Sequence, residues 1–256
     1  MGRVMNGGIG MESQIKGKTG AYRVLSGSVL KTIALLTMLL DHTAAHLFSK
    51  MRFALVPFMT IGGTKITWYL VFRTIGRIAF PLYCFLLVEG YLHTRSKERY
   101  GLRLLIFAIV SEIPWDLVHK GFWTASGQNV FFTLFLGLCA VYIWDMFRED
   151  PVKRTVCLLT VFGISLILHA DYGIKGVGFI LCLFLLQDYP LPRALVGCCF
   201  FARPLTVLPA FALTGLYNGK RGFIRGKVLQ YLYYAIYPAH MLLLFFLRMH
   251  FFGYGT

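Results

Sequence analysis

Acid is what this chain has least of. Only 11 of its 256 residues are Asp or Glu, and all charged residues together make up 14%, against about a quarter in soluble domains. That scarcity, with 57% hydrophobic residues and a mean hydropathy of +0.65, excludes an ordinary soluble globule and points to a multi-pass membrane protein. Other absences narrow the reading further. The six cysteines (Cys84, Cys139, Cys157, Cys182, Cys198, Cys199) all fall inside apolar segments with no CxxC and no Cys/His ligand spacing, so they read as reduced, space-filling residues. His42 and His46 are four apart, but no glutamate follows His42 as in HExxH, so no metal is expected. No internal repeat is evident, which gives an inverted-repeat transporter little support. The net charge of +15 invites a nucleic-acid partner. Its distribution argues against one, because the basic residues sit in short clusters between apolar runs, as loop charge does in membrane proteins.

What is present is a series of apolar runs. Residues 1–28 form a glycine-rich basic tail with no apolar core, read as a flexible cytoplasmic segment and not a signal peptide. Beyond it, 29–250 reads as one transmembrane domain. Lipid cannot hydrogen-bond a backbone, so the runs must be helices. The expected class is all-α, a polytopic bundle of about nine to ten transmembrane helices. Nine candidates span 29–48, 77–93, 102–118, 130–147, 155–168, 174–187, 193–203, 204–217 and 228–250. Arg203-Pro204 interrupts the segment 193–217, and 53–72 reads as a re-entrant or interfacial helix before Arg73. Charge sets the orientation. With the tail inside, the loops 93–103, 148–154 and 217–227 are strongly basic, whereas 119–129 and 169–175 carry only Lys120 and Lys175. The N-terminus is therefore expected to be cytoplasmic.

Ionisable residues inside a membrane are costly, roughly 2.5–3.5 kcal/mol each at mid-bilayer, and mark functional sites by default. Several fall here at one depth, in the outer half. Asp41, His42 and His46 lie on the first segment, with Arg73 and Arg77 at the start of the second. Glu112 and Asp116 lie on the third, His119 and Asn129 after it, and Asp171 after the fifth. His240 lies on the last. His42 and His46 share a helix face, whereas Asp41 points about 100° away from His42. Asp41 therefore takes its partner from another helix, Arg77 or Arg73. Lys31 lies eleven residues before His42, about 20° off the same face and about 16 Å along the axis. A deep histidine without a Ser or Cys nucleophile motif suits general-base work, since its pKa lies near operating pH.

The blocks "LKTIALLTMLLDH" (30–42), "RTIGRIAFPLYCFLLVEGYLHT" (73–94), "RLLIFAIVSEIPWDL" (103–117), "NVFFTLFLGL" (129–138), "HADYGIKG" (169–176), "LYNGKRG" (216–222) and "YYAIYPAHMLLL" (233–244) together resemble the TraX family. The resemblance implies a bacterial inner-membrane acyltransferase that uses acetyl-CoA as co-substrate and works on an amine or hydroxyl acceptor, a conjugative pilin N-terminus in the founding case. It also implies a basic residue ahead of the catalytic histidine on the first helix, a place that Lys31 fills where Arg is more usual. On this reading Lys31, Lys220, Arg221 and Arg225 would meet the CoA phosphates, with Asn218 in the same loop. His42 would be the base, and Asn129, Arg77, His240, Tyr172 or Tyr237 would stabilise the oxyanion. The other expected partner is the lipid bilayer, and an oligomer is compatible with this reading. The competing reading is a proton-coupled transporter or flippase in which Asp41, Glu112 and Asp116 relay protons.

Overall fold

The computed structural model describes residues 23–122 and 127–253. Residues 1–22 of the expected tail lie outside them. The chain is built of helices: α1 (Gly27–His46), α2 (Arg52–Leu55), α3 (Trp68–Gly76), α4 (Ala79–His93), α5 (Lys97–Lys120), α6 (Val130–Met146), α7 (Pro151–Ile167), α8 (Gly173–Leu185), α9 (Pro190–Cys198), α10 (Pro204–Gly215) and α11 (Lys227–Phe252). Each of the nine apolar segments read from the sequence lies on one of them. Their starts follow capping chemistry. Ser26, Thr67, Ser96, Asn129 and Asp150 accept N–H groups of the first turns of α1, α3, α5, α6 and α7. Proline opens α7, α9 and α10, where a missing N–H costs nothing.

Two helical runs are long and apolar enough to cross a membrane: α11, and Trp68–His93, in which α3 and α4 are joined by a turn at 77–78. α6, α8 and α10 are apolar but shorter. Nine to ten full crossings therefore do not follow from helix length, because several helices fall short of the ~20 residues that span a bilayer. The apolar exterior is clearer than the count. On α5, Leu102, Ile106, Ile109, Val110 and Ile113 are exposed along one stripe, as are Val152, Val156 and Leu159 on α7. Meanwhile Ser111, Asp116, Asn129 and Thr133 are fully buried. Apolar outside and polar inside is the arrangement that lipid favours over water.

The stretch 53–72 is the main departure from the expected helix. After a single 3-10 turn and the short α2, strands β1 (Met59–Ile61) and β2 (Thr64–Ile66) pair antiparallel, with Met59 opposite Ile66 and Ile61 opposite Thr64. Gly62 and Gly63 both take positive φ (55° and 78°), which is what a two-residue hairpin turn needs and what other residues resist. Thr60, Ile61, Thr64 and Ile66 favour the extended backbone on either side.

α1 is central. It packs against α3, α4 and α11, and α5 closes the far side by packing on α6 and α11. Leu30, Ala34, Leu82, Leu104 and Met241 fill the interior between these helices. Gly76 decides how closely α3 approaches: a Cβ there would sit 2.3 Å from the Cβ of Asp41.

Candidate functional site

A cavity of about 610 Å³ runs inside the bundle along α1, from Gly27 and Lys31 to Asp41 and His42. Lys31 to His42 is eleven residues of helix, or about 16 Å, and the volume lies in the middle of the range for ligand pockets. Its two ends differ in chemistry. Near the start of α1 the walls carry Lys31, Arg103, Arg221 and Lys227 among Tyr83, Tyr100, Tyr233 and Tyr234. The Lys31 ammonium stands over the rings of Tyr233 and Tyr234, at 5.8 and 5.2 Å. At the far end Asp41, His42, Asp171, Tyr172 and Tyr237 line the walls.

The loop 216–226 closes the near end by locking onto α1. The N–H groups of Gly27 and Ser28 donate to the carbonyls of Lys220 and Arg221, at 2.8 Å each, and Ser28 Oγ donates to the Arg221 carbonyl at 2.7 Å. Ile224 N–H donates back to Ser28 Oγ at 2.7 Å. The first N–H groups of α1 are thus spent on protein carbonyls, and this loop presents oxygens to the helix where a phosphate nest would present N–H groups. The Arg221 side chain faces the cavity. Lys220 and Arg225 are exposed and do not line it. Asn218 does not line it either: its Oδ1 accepts the Lys220 N–H and its amide donates to Val24 O. Of the five residues assigned to phosphate from the sequence, only Lys31 and Arg221 therefore stand in the cavity wall.

At the far end two helix faces lead to two partners. Asp41 accepts from Arg73 Nη1 at 2.5 Å; Arg77, exposed just past the end of α3, makes no hydrogen bond to it but lies near enough for its charge to act on Asp41 and Asp171. The second Asp41 oxygen is buried without a hydrogen bond. His42 turns to α11: its Nδ1 lies 2.7 Å from His240 Nε2, with the two rings parallel. His240 Nδ1 is 2.9 Å from Ile236 O. A carbonyl only accepts, so His240 Nδ1 carries the hydrogen and its Nε2 is an acceptor. His42 Nδ1 must then be the donor, and His42 Nε2 is left with a free lone pair. The chain of bonds sets the tautomer of His42. Tyr237 packs edge-on against His42, with ring centroids 6.1 Å apart, and Tyr172 stacks on Phe80 at 3.5 Å.

Asp171 sits in the turn between α7 and α8. Burial pushes its carboxyl above the usual carboxylate range, and the nearby Asp41 carboxylate adds to this. The remaining sequence candidates lie elsewhere. Asn129 caps α6 through Oδ1, and its amide donates to Ala108 O and to Glu112 Oε2. That amide is fully engaged between helices, so it is a fastening and not a free oxyanion donor. Asp116 pairs with Lys120 at 3.1 Å on its own helix. Neither Asn129, Glu112 nor Asp116 lines the cavity. Sequence reading named Tyr172 and Tyr237 but overlooked Arg103, Lys227 and the tyrosines around Lys31: Tyr83, Tyr100, Tyr233 and Tyr234. One signal was available: Tyr233 and Tyr237 are four apart in an apolar helix, three residues before His240, and so share its face. Among the described residues no three His, Cys, Asp or Glu side chains form a metal-holding group.

The fold and cavity define a class: a helical membrane protein in which a cationic, tyrosine-lined chamber opens onto a half-buried histidine. The chain belongs to the TraX protein family, which it matches over residues 26–248. It is 30% identical over 245 residues to a probable fimbrial assembly protein, FimC of serogroup H1, from Dichelobacter nodosus, covering 84% of this chain and 92% of that protein. It is 26% identical over 178 residues to an uncharacterised protein of Rickettsia prowazekii (strain Madrid E), covering 68% of this chain and 60% of that one. No solved structure matches it.

Proposed function

We propose that this protein is a multi-pass acyltransferase of the bacterial inner membrane that moves an acetyl group from acetyl-CoA to an amine or hydroxyl acceptor, with His42 as general base. The observation that carries this reading is the continuity of the cavity from Lys31 and Arg221 to His42 along one face of α1. Cations among tyrosines suit a nucleotide with phosphates. A passage of about 16 Å along the helix suits an extended pantetheine arm. His42 Nε2, unprotonated because its other nitrogen donates to His240, takes the proton of the acceptor as it attacks the thioester carbonyl. The Tyr237 hydroxyl, in the wall beside His42, is the donor best placed to stabilise the oxyanion. Asp41 and Asp171 hold negative charge at the same end, where an acceptor amine would enter. The Dichelobacter relative is named for fimbrial assembly, which supports a fimbrial component, such as a pilin N-terminus, as acceptor.

The transporter reading draws less support. Its three carboxylates each bind a different partner, Asp41 on Arg73, Glu112 on Asn129 and Asp116 on Lys120, and neither Glu112 nor Asp116 lines the cavity with Asp41. The test is transfer of labelled acetyl from acetyl-CoA to envelope components by the purified protein in nanodiscs. His42→Ala should lower kcat by about 10²–10⁴-fold with the protein still folded and the KM for acetyl-CoA little changed. Failure of the wild type to bind acetyl-CoA or transfer label overturns the enzyme reading. Full activity of His42→Ala removes His42 from the chemistry.

A further inference from the structure

His42 has more company than general-base catalysis needs. His46 lies one turn further along α1, its ring centroid 6.3 Å from that of His42. His119, at the end of α5, meets His46 edge-on at 4.5 Å. His46 is buried, and its Nε2 has no hydrogen-bond partner. His119 is exposed and is held by Trp115, through a hydrogen bond from Nδ1 to the Trp115 carbonyl at 2.9 Å and a ring contact at 3.7 Å. The Nδ1–H is used there, so the Nε2 of neutral His119 is an acceptor. The three rings run in succession from the half-buried base, through the buried His46, to the exposed His119.

We propose that His46 and His119 carry away the surplus proton that an ammonium acceptor leaves on His42; this rests on the acyltransferase reading. The need follows from the balance of the reaction. An ammonium group must lose one proton before it can attack. As it attacks, the N–C bond forms and the C–S bond breaks. The second N–H proton passes through His42 to the departing thiolate, giving the thiol. The first proton has no taker among the reactants and must reach water. His240 cannot take it onward, because its other nitrogen ends on the Ile236 carbonyl. His42 Nε2 therefore hands it to His46, across a distance that a bridging water closes, and His46 hands it to His119 at the surface.

Charged and titratable groups face His46 from three other helices as well as its own. They are His119 from α5, Arg248 and His240 from α11, Arg73 from α3, and His42 from its own helix. His119 is faced by Arg248 as well as by Lys120 and Asp116 of its own helix. The exit lies at the end of α1 opposite Lys31 and Arg221, so the proton leaves without crossing the cationic chamber.

The test uses the full-length protein in nanodiscs, acetyl-CoA, and a synthetic peptide whose sole nucleophile is its α-amine. In weak buffer His119→Ala should lower kcat several-fold, leave the KM for acetyl-CoA unchanged and steepen the loss of rate toward low pH. Imidazole added to the buffer should restore the rate of His119→Ala but leave His42→Ala inactive. His46→Gln, which keeps a polar side chain in the buried position, should show the same loss with weaker imidazole rescue. A merely structural role for His119 would not respond to imidazole. If the wild type acetylates the peptide and His119→Ala matches it across pH in weak buffer, the relay is overturned and the acyltransferase reading stands. If the wild type transfers nothing from acetyl-CoA, to the peptide or to envelope components, both fall.

Discussion

Asp41 and His42 are neighbours in sequence and do different work. Adjacent residues on a helix diverge by about 100°, so Asp41 reaches α3 and His42 reaches α11. A sequence reader tempted by an Asp–His dyad would mistake the orienting group. The residue that orients His42 is His240, and it does so as a hydrogen-bond acceptor. His240→Phe removes that acceptor and frees His42 to take either tautomer. His240→Gln offers a carbonyl oxygen in its place. The phenylalanine variant should lose roughly 10- to 100-fold in kcat, the effect of about 1–3 kcal/mol from one buried hydrogen bond. The glutamine variant should recover part of it. Equal activity of the two variants in the transfer assay would show that the His42 tautomer does not depend on position 240. Asp41 is a separate matter. Its bond to Arg73 leaves one buried oxygen unpaired, a costly arrangement that makes sense where a cationic group arrives from the cavity.

Among the elements, the loop 216–226 and the start of α1 act as one unit. Glycine is required at position 222: its φ is +86°, and a Cβ there would lie 2.3 Å from Ser26 Oγ and 2.8 Å from the Ser28 side chain. Gly222→Ala should therefore strain the backbone and push the loop off the helix, at a cost of about 1–3 kcal/mol. The loop carries Arg221 with it, so the KM for acetyl-CoA should rise while kcat changes less. Thermal unfolding in detergent and saturation kinetics check the two parts separately. Unchanged KM with lowered stability would mean that Arg221 keeps its place without the clamp. A second fastening lies at the same end. Lys97 and the Tyr91 hydroxyl both donate to Asp145 Oδ2, at 2.7 and 2.8 Å. The hydrogen bond to Asp145 raises the Lys97 ammonium pKa, so this tie between α4, α5 and α6 stays charged at neutral pH. Such ties concentrate rigidity around the cationic chamber.

For the whole molecule, the relevant quantity is where charge and exposure sit relative to α1, a helix of about 30 Å and so about the thickness of a hydrocarbon core. The loop 216–226 is at its start. The β1–β2 hairpin follows its end, with Phe58, Met59, Ile61 and Trp68 exposed around it. Two opposite surfaces are expected. In a Cys199→Ser background, since Cys199 is the exposed native thiol among the six, an impermeant maleimide should label Lys65→Cys from one side of sealed vesicles and Arg225→Cys from the other. Labelling of both from the same side would refute a multi-pass arrangement in which α1 crosses the bilayer.

The sequence alone determined the helical class, because apolar runs in lipid have no other way to satisfy their backbone groups. It placed the apolar segments on the observed helices but not their starts: α5 and α7 begin at Lys97 and Pro151, ahead of the expected 102 and 155, because the capping residues Ser96 and Asp150 lie in the polar stretches before the apolar runs. It singled out His42 and Lys31, because both lie on one helix and their mutual geometry is fixed by 3.6 residues per turn. Its helix over 53–72 holds at the two ends, in α2 and the start of α3, and fails between them, where Gly62 and Gly63 allow a hairpin. Partners on different helices could not be read in the same way. That Arg73 and not Arg77 meets Asp41, that His240 orients His42 and His119 continues the line from His46, and that Arg103 and Lys227 face the cavity while Lys220 and Arg225 face outward, depend on how α3, α5 and α11 rotate and approach around α1. Those rotations are set by packing between surfaces far apart in the chain, such as Gly76 against Asp41. Only the tertiary structure brings such contacts together.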